Sequence, residues 1–202
     1  MKKITKVLCC CLVMCFVITF ALAFSACNTS PVKNLIYIIG DGMGFNHIEN
    51  TKLYMEVDKL NFEQYHVGEV TTYCADSDVT DSAASATALA TGKKTNLDHV
   101  GLDPNGKKLK NIMEISKSYG KRTAIVTTDI VGGATPAGFS AHDDDRDDRL
   151  DIIKSQAAGK VDLFIGEYSA AYYANKKHFV NNGFTYVETF EELSELESGK
   201  II

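Results

Sequence analysis

Tryptophan is absent from this chain of 202 residues, and cysteine is almost confined to one end of it. Five of the six cysteines stand at positions 9, 10, 11, 15 and 27, which leaves Cys74 alone in the body of the chain. A lone cysteine excludes both an intrachain disulfide and a cysteine-based metal centre there. A basic stripe is also missing: the formal net charge is −5, and nucleic acid is not the expected partner. Several signatures fail on spacing. A dinucleotide fingerprint starting at Gly40 would need its third glycine where Phe45 stands, and Gly92-Lys93-Lys94-Thr95 lacks both the leading glycine and the Ser or Thr of a phosphate loop. An EF-hand from Asp143 would need Gly at position 148 and Glu at position 154, where the chain has Asp148 and Lys154. Cys74-Ala75-Asp76-Ser77 is not the C-x-P-x-R of a sulfatase, and no internal repeat or low-complexity segment is found.

What is present begins with an export signal over residues 1–26. Lys2, Lys3 and Lys6 precede an apolar run from Val7 to Ala23, and Ser25-Ala26-Cys27 then resembles a bacterial lipobox, with Phe24 where Leu is usual. Cleavage after Ala21-Leu22-Ala23, or an uncleaved anchor helix, are the alternatives. The expectation is an exported protein held at the membrane by lipid on Cys27, followed by a linker over residues 27–33. The mature chain, linker included, would have roughly 175 residues, enough for one core.

From residue 34 the pattern is that of an α/β domain. Leu35 to Ile39 is continuously apolar and predicts a central strand of a parallel sheet, ending at Gly40-Asp41-Gly42-Met43-Gly44. His47–Met55 reads as a helix, Val67–Tyr73 as a second strand, and Ser82–Ala90 as a helix of small residues closed by Gly92. Helices over Leu109–Tyr119, Arg149–Ala158, Ser169–Asn182 and Thr189–Leu196 then alternate with strands over Arg122–Thr128, Val161–Ile165 and Phe184–Val187. Gly199-Lys200-Ile201-Ile202 reads as the start of a further strand. Such alternation predicts a three-layer αβα sandwich with a mostly parallel sheet, and the chain reads as the N-terminal portion of a larger domain.

Three polar clusters fall at carboxyl ends of the expected strands, where open α/β sheets place function. Asp41, between two glycines, is a carboxylate on an open turn that suits a bridging metal ligand or, equally, a turn aspartate bonded to its own backbone. Asp81 and Ser82 begin a helix, so Ser82 stands among unpaired N–H groups that favour an anion, as a nucleophile or merely as a cap. The stretch from Gly132 to Arg146 offers Thr135 as a hard oxygen ligand and Arg146 as a planar fork for two phosphate oxygens. His142 reads as structural, and the acidic residues around Arg146 as a solvated loop.

Together I-I-G-D-G-M-G around Asp41, V-T-D-S-A-A-S-A-T-A-L-A-T-G around Ser82 and A-T-P-A-G-F-S-A-H-x-x-x-R from Ala134 to Arg146 resemble the alkaline phosphatase family. The resemblance implies a phosphomonoester hydrolase with two Zn²⁺ and one Mg²⁺, and a possible homodimer. In that scheme Asp41 bridges a zinc and the magnesium, and Thr135 ligates magnesium. Ser82 is a zinc ligand and is phosphorylated during turnover, Asp81 orients Arg146, and Arg146 clamps the phosphoryl oxygens. Zinc would favour the Ser82 alkoxide and then deliver hydroxide to the phosphoserine. Gly133 departs from the Asp or His that many members carry there, which bears on metal preference. The family's later ligands, an Asp-x-x-x-His pair, an Asp-His pair, a histidine and a glutamate, have no match after Arg146, where the only histidine is His178. A related phosphodiesterase and a truncated, catalytically incomplete phosphate- or metal-binding lipoprotein are the other readings.

Overall fold

The computed structural model describes residues 32–202, so the signal, the lipobox and Cys27 lie outside the described residues. Two compact units divide at Ile39/Gly40. In the first, described residues 32–39 carry no regular secondary structure, and Leu35, Ile36, Tyr37 and Ile38 are exposed. The strand expected over Leu35–Ile39 is therefore not formed. A run apolar on both faces becomes a strand when neighbours cover both faces.

The second unit carries the sheet. Its elements are α1 (Phe45–Met55), α2 (Ser82–Thr91), α3 (Ile112–Ser118), β1 (Ala124–Ile130), α4 (Ala134–Gly138), α5 (Arg149–Ala158), β2 (Leu163–Glu167), α6 (Ala170–Asn175), α7 (Lys177–Asn181), β3 (Phe184–Thr185), α8 (Phe190–Ser194) and β4 (Lys200–Ile201). The strands pair in the order β1-β2-β4-β3, with every pairing parallel. This is the mostly parallel α/β sheet expected from the alternation, with the Gly199–Ile202 strand in place as β4. The expected strand over Val67–Tyr73 is absent: Val67 and Val70 are fully or largely exposed and unpaired in any ladder. The single helix expected over Ser169–Asn182 is broken at Lys176 into α6 and α7.

Local signals explain the remaining boundaries. Asn111 and Glu114 form a reciprocal capping box that starts α3 three residues later than the apolar periodicity suggests. Asp148 caps α5 by accepting from the Asp151 N–H at 3.1 Å. Asp143 and Asp145 each accept an N–H two residues on, at 3.1 and 2.8 Å, so the acidic run closes local turns as a loop.

The core has two parts that fix the strand ends. Phe164, Phe179 and Phe184 are buried and pack edge-on or tilted, with centroids 5.2–6.0 Å apart, which ties β2 and β3 to α7. Buried Gln156 donates from Nε2 to the Val131 carbonyl and to Ser140 Oγ, both at 2.8 Å. It also accepts from the Tyr172 hydroxyl at 2.6 Å. Burial pushes the Tyr172 phenol well above its ordinary value, so it remains a donor. With Arg149 Nη1 donating to the Gly132 carbonyl at 2.7 Å, this network holds the turn between β1 and α4. At the opposite end of the strands, Asp162 accepts from Lys117 at 2.5 Å and from the Thr123 N–H at 3.0 Å.

Candidate active site

The helix α2 begins at Ser82 because Asp81, extended at φ −112°, accepts from the Ala84 N–H at 2.9 Å. Asp81 is thus the cap, which frees the Ser82 hydroxyl from that duty. Ser82 Oγ instead donates to Asp41 Oδ1 at 3.0 Å, across 41 residues of sequence. The turn that carries Asp41 closes through the Met43 N–H on the Gly40 carbonyl at 3.1 Å. Gly42 sits in it at φ +66°, a conformation that glycine adopts without steric cost. Thr135, in the first turn of α4, donates to the other Asp41 oxygen at 2.8 Å. One carboxylate therefore gathers the hydroxyls of two helix starts.

Arg146 arrives from the other side. Its Nη1 donates to Asp81 Oδ2 at 3.0 Å, with both side chains about a quarter exposed. Burial raises the Asp81 carboxyl, but the Ala84 N–H, the Arg146 guanidinium and the Asp98 N–H outweigh it and hold the group below its ordinary value. With its carboxyl held below the ordinary value, Asp81 stays ionised at neutral pH, and Arg146 keeps its orienting partner there. The five sequence-derived residues form two hydrogen-bonded groups, Asp41 with Ser82 and Thr135, and Asp81 with Arg146, joined where Asp81 precedes Ser82 in the chain.

Two contributors were not singled out from sequence. Asp98 is a non-glycine residue at φ +64°. Its N–H donates to Asp81 Oδ2 at 3.3 Å, and its carbonyl accepts the Arg146 N–H at 2.9 Å. At this left-handed turn one residue serves both Asp81 and Arg146. Asp129 is the other. Its Oδ2 lies 2.5 Å from where a Cβ would stand on Gly133, so a carboxylate already fills the space a side chain at that position would take. His142 is held structurally, as expected: its Nδ1 is 2.8 Å from the Gly101 carbonyl.

Small residues bring the helix starts together. Ala83, Ala86, Ala134 and Ala137 are buried, and a Cβ on Gly138 would lie 2.8 Å from Ala86 Cβ and 2.9 Å from the Thr87 nitrogen. Gly138→Ala must push α4 from α2, which moves Thr135 relative to Ser82. The expected cost is about 1–3 kcal/mol in urea denaturation, and wild-type stability in that variant would contradict the close packing.

As to metals, Asp41 offers two oxygens and Ser82 and Thr135 one each, a hard-oxygen set suited to Mg²⁺ or to the oxygen side of a zinc site. Among the described residues no group of three or more His, Cys, Asp or Glu side chains converges as a metal cluster. The donors present fit one edge of a metal centre.

Known proteins resemble this chain in sequence and in fold. The family model described as alkaline phosphatase matches residues 32–169. Alkaline phosphatase 3 of Bacillus subtilis is 32% identical over 194 residues, which cover 87% of this chain and 42% of that protein. The cold-active alkaline phosphatase of a psychrophilic Shewanella superposes with a TM-score of 0.75 at 30% identity, over 81% of this chain and 44% of its own. The enzyme of the Antarctic bacterium TAB5 superposes at 0.71 with 26% identity and is half covered, and a mutant of it carries Mg in a site called M3. The chain thus spans less than half the length of the Bacillus relative. With the motif residues assembled in space and the family model matched over most of the chain, the chain belongs to the alkaline phosphatase family.

Proposed function

We propose that this chain supplies the nucleophile and the phosphate clamp of an exported phosphomonoester hydrolase that works through a phosphoserine on Ser82. The observation that carries the reading is the division of labour at the start of α2. Asp81 does the capping, so Ser82 Oγ is left at the positive helix end, bonded to a carboxylate suited to metal. Ser82 Oγ would lose its proton to solvent and attack phosphorus in line with the ester oxygen. The bond from that oxygen to phosphorus would break as the alcohol leaves with a solvent proton, and water would then release phosphate from the phosphoserine. Arg146, oriented by Asp81, would hold two non-bridging oxygens and oppose the charge gathering on them. Asp41, Ser82 and Thr135 would hold zinc and magnesium, two Zn²⁺ and one Mg²⁺ in the complete site. Those ions would supply a lowered hydroxyl pKa and electrostatic stabilisation of the transferring group. Lipid on Cys27 would tether the protein to the membrane after export, and pairing as a homodimer follows the family reading.

With Arg146 on two phosphoryl oxygens and the bound ions on the third, the site would favour monoesters, which alone have three non-bridging oxygens, and this sets the reading apart from a phosphodiesterase. In the protein translated from the whole reading frame that encodes residues 1–202, an aryl phosphate should be hydrolysed with kcat/KM at least about a hundredfold above its bis-aryl diester. Asp81→Ala should loosen Arg146 and raise the inhibition constant of inorganic phosphate by about tenfold. Equal rates on the two esters, or phosphate inhibition untouched by Asp81→Ala, would contradict the clamp.

A further inference from the structure

We infer that a cleft away from Ser82 is a second anion site, one that holds a compact oligophosphate without reacting with it. The cleft, about 380 Å³, opens between the start of α3 and the end of α5, and none of Asp41, Asp81, Ser82, Thr135 or Arg146 lines it. Lys108 and Lys110 stand on one wall, in the segment that leads into the Asn111 cap. Lys160 stands on the other, in the connection from α5 to β2. None of these three ammonium groups has an ion-pair partner among the described residues, whereas Lys52, Lys117 and Lys154 are each paired. In a chain of formal net charge −5, three unpaired lysines facing one cavity stand out as a local reversal of sign.

The only carboxylate in the lining is already engaged. Glu114 Oε2 accepts the Asn111 N–H at 3.1 Å, and Oε1 lies 3.3 Å from His142 Nε2. Glu114 is thus bound to the wall instead of neutralising the lysines. Ser155 Oγ accepts the His142 N–H at 3.0 Å, and that bond leaves its own O–H free to donate. The floor is fixed by backbone pairing, since the Leu109 N–H donates to the Gly101 carbonyl at 2.9 Å. The lysines divide between two walls, so a ligand with several phosphoryl groups can meet both where a single phosphate meets one. The volume suits a ligand of triphosphate or nucleotide size. No hydroxyl or thiol there has a neighbouring base arranged to attack phosphorus, which makes the site one for binding.

Calorimetric titration of the chain carrying Arg146→Ala with inorganic tripolyphosphate at low salt separates this cleft from the Ser82 site. Binding should persist in that variant and be at least about tenfold tighter than for inorganic phosphate. Adding Lys108→Glu and Lys160→Glu should weaken it by about tenfold or more, and raised salt should weaken it steadily. Because both lysines are surface residues, the thermal midpoint should not move, and the milder Lys108→Gln with Lys160→Gln should give an intermediate loss. Loss of all binding on Arg146→Ala, or an affinity indifferent to the lysine changes, would overturn the site. Neither result would bear on Ser82.

Discussion

Ser82→Ala should lower kcat/KM for an aryl phosphate by about ten-thousand-fold or more, while circular dichroism and the thermal midpoint should stay at wild-type values. The two halves of that expectation come from one local fact. A serine at the start of a helix ordinarily satisfies a backbone donor, and its loss then costs about 1 kcal/mol. Here Asp81 accepts the Ala84 N–H, and the Ser82 hydroxyl is turned to Asp41. Removing that hydroxyl takes away the only candidate nucleophile of the constellation and no capping bond. The measurement is steady-state kinetics on the protein from the whole reading frame, paired with labelling by radioactive phosphate that marks the wild type and not the variant. Retained turnover in the variant would assign Ser82 a positioning role and send the search for the nucleophile elsewhere.

The constellation was legible because its members sit in motifs whose spacing belongs to the family, and because each residue type is unusual for its place. Asp81 and Ser82 compete for one capping duty, Asp41 stands bare between glycines, and Arg146 lies in a run of acids. Asp98 was not legible, since it acts through its backbone, and an aspartate marks a left-handed turn only weakly. Asp129 was hidden for a different reason: it meets Gly133 only when the turn after β1 folds back. The sheet was legible where strands pair within Gly40–Ile202, through apolar runs alternating with helical spacing. Leu35–Ile39 and Val67–Tyr73 carry equally clear strand patterns, yet neither joins a ladder among the described residues, and Leu35, Ile36, Ile38, Val67 and Val70 are exposed. Pattern encodes what a segment would bury, and the outcome depends on whether a neighbour is there to cover it. Val126, on β1 itself, is likewise exposed although it belongs to a run that reads as buried.

Among its described residues, the 202-residue chain would bring Asp41, Ser82 and Thr135 to the metals. Supplied with Zn²⁺ and Mg²⁺, it should turn over an aryl phosphate at less than about 0.01 s⁻¹, a thousandth of an ordinary enzyme's rate of about 10 s⁻¹. The donors around Ser82 among the described residues are one carboxylate and two hydroxyls, and a tightly held zinc takes about four ligands with nitrogen or sulfur among them. Neutral hydroxyls add little affinity, so the ions that would favour the alkoxide would exchange freely. Losing about 4 kcal/mol of that stabilisation alone amounts to a thousandfold. Arg146 remains oriented by Asp81 in this chain, so weak binding of phosphate should survive where turnover does not. Calorimetry with inorganic phosphate, run beside the rate measurement, reads the two separately. A rate near 10 s⁻¹ that disappears in Ser82→Ala would show that Asp41, Ser82 and Thr135 hold their metals without further ligands, and the account of the incomplete metal set would have to be abandoned.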